Sequence, residues 1–461
     1  MKLVNIHPCF ALVWVFLFGV SQGSTFAQSM TLEQCNEAAL SNNKNLLVVR
    51  NNLNIAEQKR QEALSNRSPK VTASADYKFF TNLPYQLLPL SVFNGPEGQY
   101  KEAQFGVPHN LGANVQLAMP IYNPQIKTGI KGTEIAAELV NLQVEKNEEQ
   151  VIFEVTNLYY NAQILHQQIL FVDSNLVNVN RLIATMLLLR SQGLAKGTDV
   201  GKIELQQAQL QSQRLQLAGK LAQVHNGLNF FMGRELDAPL SVPKDIQQAE
   251  NNAYTVFPSV DVRVAQVQNH LLVNDLDLLK KAKLPTVSLA ANYGLTGFGY
   301  FKQPDPFFKI FPIGFIGIQA NYSIWNKTTR FKIAQKEVEI MGNRLQAEQI
   351  QAQNDLQIAN AMLQKNAAQA NIPILQKQIA LANAVYEQTL VQHRQGTATI
   401  ADILLANNAL REAQVNYLNA LVEYLKANLG NSFPVQFAVN NFSNHALRAG
   451  MFGKIKLSTK N

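Results

Sequence analysis

Two aspartates occupy matched places in the chain. Asp199 follows Gly193 by six residues, Asp402 follows Gly396 by six, and the two pairs are 203 residues apart. A carboxylate just after a glycine turn can cap the start of a helix, or it can hold a fixed negative charge where cations pass. Thr399-x-x-Asp402 has capping-box spacing, in which each side chain satisfies an amide at the helix start. Asp199 lacks that arrangement, because Lys196 stands where Thr399 does. The glycines read most simply as tight-turn residues. No other grouping offers chemistry. His109, His166, His225, His270, His393 and His445 include no pair at helical i, i+4 spacing for a metal. Gly294, Gly297 and Gly299 make no dinucleotide fingerprint, since they fall at a strand end and loop and not before a helix. No Walker loop occurs, so any energy must come from a partner. The reading is of no enzyme, no catalytic site, no cofactor and no metal.

Composition points the same way. The 461 residues carry 16% charged side chains and a formal charge of +8. Gln and Asn do much of the polar work, as in Gln206-Gln207-Ala208-Gln209-Leu210-Gln211. Lys and Arg are scattered without a sustained basic block, which argues for a mildly basic envelope protein over a nucleic-acid binder. At the N-terminus Lys2, the short apolar core Phe10-Ala11-Leu12-Val13-Trp14-Val15-Phe16-Leu17-Phe18 and the small residues around Thr25-Phe26-Ala27 read as a secretory signal, residues 1–27. Cys9 leaves with it, only Cys35 remains, and no internal disulfide is expected. Neither cysteine sits in a lipobox, so no N-terminal lipid anchor is expected. Beyond the signal there is no run of about 18 apolar residues, which excludes a helical inner-membrane protein and leaves strands as the route into a bilayer.

The elements that carry the turns come in two copies. Besides the Gly–Asp pairs, Leu117-Ala118-Met119-Pro120-Ile121-Tyr122-Asn123 aligns with Ala320-Asn321-Tyr322-Ser323-Ile324-Trp325-Asn326 at the same offset, and each copy finishes at a glycine, Gly233 and Gly430. A period this long marks a duplicated domain and not a solenoid. A heptad row runs from Ile130 through Val144, Val151, Val172 and Val179 to Met186, and again from Ile333 through Ile340, Ala368 and Leu375 to Thr389. Such rows predict coiled-coil-like helices of some 65 residues, rods of about 100 Å. The returning helices carry Ile203, Leu210, Leu217 and Val224, then Ala406, Ala413, Ala420 and Ala427, small residues that let helices pack into a tight wall. Pro373 is expected to kink or interrupt the second rod, where the first has Leu170.

Before each rod stand two segments of period two: 71–79, 113–121, 287–295 and 316–324. Each has the length of a tilted transmembrane strand, apolar side outward and polar side toward a lumen, although strands of a soluble sandwich alternate in the same way. Four strands cannot close a barrel, and an open edge in lipid leaves backbone groups unpaired. Copies must therefore pool strands, two giving eight and three giving twelve. The connections from about Thr81 to Asn110 and from about Tyr300 to Phe311, rich in proline and aromatics, read as exterior loops.

In these residues the chain resembles the outer-membrane efflux protein family, the TolC-like channels. The resemblance rests on Met30-Thr31-Leu32-Glu33-Gln34-Cys35-Asn36-Glu37-Ala38-Ala39-Leu40, Pro69-Lys70-Val71, Pro285-Thr286-Val287, and Arg394-Gln395-Gly396-Thr397-Ala398-Thr399-Ile400-Ala401-Asp402-Ile403-Leu404. It implies a mainly α fold with a membrane β-barrel part: a homotrimer with a shared twelve-stranded transmembrane barrel and a trimeric α-helical barrel in the periplasm. It also implies a periplasmic adaptor (membrane fusion protein) and an inner-membrane transporter as partners, outer-membrane lipid around the barrel, and no nucleic acid. The turns bearing Gly193, Asp199, Gly396 and Asp402 would then form the periplasmic aperture. Asp402 matches an acidic position of the family, while Ala398, Leu405 and His393 depart from its pattern.

The expected layout is a signal at 1–27, a first repeat at 28–235 (helix, two strands, long helix, helix), a linker at 236–254, a second repeat at 255–430 and a polar tail at 431–461. The function expected is a passive outer-membrane export duct opened by partner contact. The alternative is a periplasmic coiled-coil structural or adaptor protein without a membrane barrel.

Overall fold

A computed structural model describes residues 29–244, 246, 259–302 and 304–432, with side chains at 93 and 428–432 left aside. The signal segment, most of the linker's second half and nearly all of the tail lie outside these residues.

The chain opens with α1 (Leu32–Asn42) and α2 (Lys44–Ser65). The Thr31 hydroxyl accepts the Gln34 amide while the Gln34 side chain accepts the Thr31 amide, a reciprocal cap that the sequence reading did not single out. Then come β1 (Lys70–Phe79), β2 (Tyr85–Pro89), β3 (Tyr100–Gln104) and β4 (His109–Tyr122). Next, α3 (Pro124–Ser191) and α4 (Gly197–Phe231) make the first rod and its return. The second half repeats the order with α5 (Val260–Lys281), β5 (Thr286–Tyr300), β6 (Phe307–Asn321), α6 (Lys327–Arg394) and α7 (Ile400–Ser432). α3 and α6 are each 68 residues long and start 203 residues apart. Asn123 and Asn326 cap them, accepting the amides of Gln125 and Thr329, and Pro124 occupies the first turn of α3, where its missing N–H costs nothing. The shared asparagine of the two aligned landmarks is thus a helix-start signal.

Burial follows the heptad rows. Ile130, Val144, Val151, Val172, Val179 and Met186 are buried on α3, and Ile340, Ala368 and Leu375 on α6; no member of either row is exposed. Ile203 and Leu210 on α4, and Ile403 on α7, are wholly buried, each contributing about 1.5–3 kcal/mol by removal from water. Among the described residues no helix is long and apolar enough to cross a membrane.

Four strands form one antiparallel sheet in the order β1-β4-β5-β6. The register places Val115 opposite Ala73 on one side and Tyr293 on the other, and Tyr293 opposite Gly314. One face therefore gathers the odd-numbered residues of β1, β4 and β5 with the even-numbered residues of β6. Val71, Leu117, Leu289 and Ile316 lie on it, and among the described residues it carries no Asp, Glu, Lys or Arg. The opposite face carries Thr72, Ser74, Asp76, Asn114, Gln116 and Asn292. Pro120 lies beyond the last β1 pair, at a register shift between Pro120 and Tyr122, so its missing N–H breaks no inner ladder.

Five expectations need correction. The last strand spans Phe307–Asn321 and not 316–324, because the apolar run Phe307–Phe315 pairs with β5; only 301–306 connect the two strands. The long connection after β1 is not wholly loop: β2 and β3 form their own two-stranded sheet, and His109 and Asn110 already belong to β4. Pro373 does not interrupt α6, which runs unbroken through it. Its neighbours Ile372 and Leu375 are buried against α7 residues Leu421 and Tyr424, and that packing holds the helix where one backbone bond is lost. Gly430 does not end α7, which continues to Ser432. Lastly, the polar face turns apolar on β6, where Phe311, Ile313 and Phe315 lie opposite Thr296, Gly294 and Asn292, large side chains over small or polar ones.

Candidate functional site: the helical turns and the sheet edges

The first turn begins where α3 stops. Gly193 adopts φ 73°, the left-handed region, and the Leu194 amide reaches back to the Leu189 carbonyl at 2.9 Å. This is a glycine-terminated helix end, which a residue with a Cβ disfavours. Lys196 then starts α4 without a side-chain cap, and Asp199 in its first turn pairs with Lys202 at 3.3 Å. A carboxylate there also faces the positive end of the helix dipole.

The second turn has the same frame and more bonds. Gly396 adopts φ 77°, and the Thr397 amide and hydroxyl both donate to the Gln392 carbonyl at 3.0 Å. The His393 Nδ1 contacts the Ala398 carbonyl at 2.9 Å, so the ring spans the turn. The capping box is present: Asp402 Oδ2 accepts the Thr399 amide at 2.8 Å and the Thr399 hydroxyl at 2.7 Å, while the Asp402 amide donates to that hydroxyl at 3.3 Å. The Thr399 amide, then its hydroxyl, holds the Asp402 carboxyl below the usual carboxylate range. The roles of His393 and Thr397 escaped the sequence, which shows their types and not their reach.

The two turns stand at the same end of the helices. Met186, Val200, Ile203, Tyr386, Ile400 and Ile403 belong to one buried cluster, drawn from the ends of α3, α4, α6 and α7. Gly193 with Asp199, and Gly396 with Asp402, are therefore brought to one region. Each aspartate is engaged locally, Asp199 with Lys202 and Asp402 with Thr399.

At the other end lies the sheet, whose two outer strands, β1 and β6, have no neighbour on one side. β1 is exposed along its whole length, and β6 at every position but Gly317. On the uncharged face aromatic rings lie over glycines. Phe308 sits where a Cβ on Gly297 or Gly299 would fall 2.8 Å from its ring, and Tyr293 covers Gly314 in the same manner at 3.1 Å. At the loop end of that face His109 meets Tyr77 through a 2.6 Å bond to the phenol oxygen and packs against Phe79 and Phe301. Gly297 and Gly299, spaced two apart on β5, leave the room that the single Phe308 ring of β6 fills.

The sequence matches no protein-family model and no curated protein. The structure does have counterparts. The outer membrane protein VceC from Vibrio cholerae superposes with a TM-score of 0.72 at 16% identity, covering 87% of this chain and 95% of that one. The CmeC outer membrane channel of Campylobacter jejuni gives 0.72 at 12% identity over 98% of both chains. The open state of the MtrE outer membrane channel of Neisseria gonorrhoeae gives 0.65 at 14% identity, with 87% and 88% covered. At such identities the likeness establishes architecture, and on that ground the chain has the TolC-like outer-membrane channel fold.

Proposed function

We propose that this chain is one subunit of a passive outer-membrane export channel and not an enzyme. The observation that carries the reading is the four-stranded sheet with both edges open and one face free of charged side chains. An open edge in lipid costs several kcal/mol for each unsatisfied backbone group, so β1 of one copy must meet β6 of the next. Three copies would make twelve strands, the number that the family resemblance implies. The uncharged face would meet outer-membrane lipid, with the aromatic residues around His109 at the exterior boundary.

The helices would form a periplasmic barrel about 100 Å long, from the 68-residue rods at ~1.5 Å per residue. Their turns, with Gly193, Asp199, Gly396 and Asp402, would surround its inner opening. A periplasmic adaptor would dock there and an inner-membrane transporter would supply the energy. The cargo is set by the transporter.

The test uses cysteine pairs placed on β1 and β6 in a Cys35→Ala background. Oxidation should give covalent species that stop at three copies, in membranes that keep the protein after a carbonate wash. A ladder ending at two would correct the number. A carbonate-released, uncross-linked monomer would remove the channel and leave the periplasmic coiled-coil reading.

A further inference from the structure

The polar face of the sheet has a charge imbalance. Its charged residues are Lys70, Asp76 and Lys78 on β1 and Lys309 on β6, three cations and one anion among the described residues. Asp76 is neutralised within its own strand, its carboxylate 3.1 Å from the Lys78 ammonium. Lys70 bonds the Asn66 side-chain oxygen at 3.0 Å, a neutral partner that leaves its charge in place. Lys309 has no carboxylate partner among the described residues; its ammonium stands 6.0 Å from the Phe307 ring centre. Lys78 and Lys309 share one row of the sheet, Lys78–Asn110–Phe298–Lys309, at its two opposite edges. Joining edge to edge would therefore bring Lys309 of one copy and Lys78 of the next to the same seam. The nearby connections do not reverse the sign, since Lys101 is followed by Glu102 and Lys302 is balanced by Asp305, with Glu97 left over.

We infer that the barrel lumen of this channel selects anions, with Lys309 and Lys70 as the residues that set the preference. The inference rests on the channel reading, which turns the polar face inward, and it names the class of solute the outer passage favours. Rings of Lys or Arg confer anion preference on water-filled pores because each charge raises the local concentration of its counter-ion. A fixed charge acts over a Debye length of about 8 Å at 0.15 M salt and about 30 Å at 0.01 M. The preference is thus modest at physiological salt and grows on dilution.

The experiment is a reversal-potential measurement on the full protein in planar bilayers under a potassium chloride gradient, near 0.01 M on the dilute side (about one 30 Å screening length). Wild-type channels should reverse on the chloride side of zero. Lys309→Glu with Lys70→Glu should shift the chloride-to-potassium permeability ratio several-fold toward potassium. The milder Lys309→Gln with Lys70→Gln should fall between them, and any channel that yields current steps has folded and inserted. Asp402→Asn should leave the sign unchanged. The inference fails if wild-type channels prefer potassium, or if the lysine variants keep the wild-type ratio. A protein that gives no conductance steps at all would remove the channel reading, and this inference with it.

Discussion

Gly233 is pressed against Asn42: a methyl group on its Cα would lie 2.6 Å from the Asn42 carbonyl oxygen. Its φ is 68°, so the helix end at α4 needs glycine both for conformation and for space. Gly193 and Gly396 share the positive φ, but a methyl group on either would meet nothing within 4 Å. Gly193→Ala and Gly396→Ala should therefore cost about 1–2 kcal/mol each, the strain of a left-handed alanine. Gly233→Ala should cost more, since backbone must move as well. Thermal denaturation of the three purified variants orders them; equal losses would show that the Asn42 contact is not restrictive.

The Thr399–Asp402 cap makes a pH prediction. The folded-state pKa of Asp402 lies below its usual value, held there first by the Thr399 amide. Its contribution is present above the unfolded pKa and is lost as pH falls through the lower, folded one. Amides of Thr399 and Asp402, the two that the cap engages, should be protected from hydrogen exchange at neutral pH and lose part of that protection in strong acid. Asp402→Ala should show the loss at neutral pH. Unaltered exchange in that variant would mean that packing of Ile400 and Ile403 alone secures the helix start.

Glu149 on α3 has the opposite shift. Burial pushes its carboxyl up to about 7, with Glu145 one turn earlier adding repulsion, Arg263 opposing, and Asp261 and Lys146 weaker. The ordinary value is 4.5, so the folded state binds the extra proton between the two values. Stability from this group is thus highest in mild acid and declines as pH rises from 4.5 to about 7. Glu149→Gln should raise the melting temperature at pH near 8 and change it little at pH near 5, where the wild-type group is already protonated. A gain of equal size at both pH values would place the cause in packing.

Neighbouring residues of β4 separate the two faces. Val115 lies on the uncharged face between Ala73 and Tyr293, and Gln116 lies on the other between Thr72 and Asn292. Val115→Arg should cost about 2–4 kcal/mol if it must sit in lipid near the bilayer midplane, whereas Gln116→Arg should be tolerated. The amount of each variant recovered in outer membranes measures this. Equal recovery would count against lipid contact on the Val115 face.

Local and periodic features were legible in the residues alone. The rows from Ile130 to Met186 and from Ile333 to Thr389 placed two rods, because a seven-residue apolar period commits a helix to one buried side. Gly193, Gly396 and the Thr399–Asp402 spacing placed the turns, since backbone sign and capping reach are properties of neighbouring residues. Alternation from Val71 to Phe79 and from Ala113 to Ile121 placed strands. Features that depend on partners far along the chain came only with the folded molecule. Phe307–Phe315 has no alternation of its own and becomes strand only because β5 supplies its hydrogen bonds. α6 stays helical through Pro373 because its neighbours Ile372 and Leu375 are buried in one cluster with Leu421 and Tyr424. Val115 meets Tyr293 across an intervening rod and its return, and that register, not either strand's pattern, joins the apolar sides of the strands into one uncharged face. Periodicity records which side of an element is apolar, whereas pairing between distant segments is settled by hydrogen bonds and packing that no single segment contains.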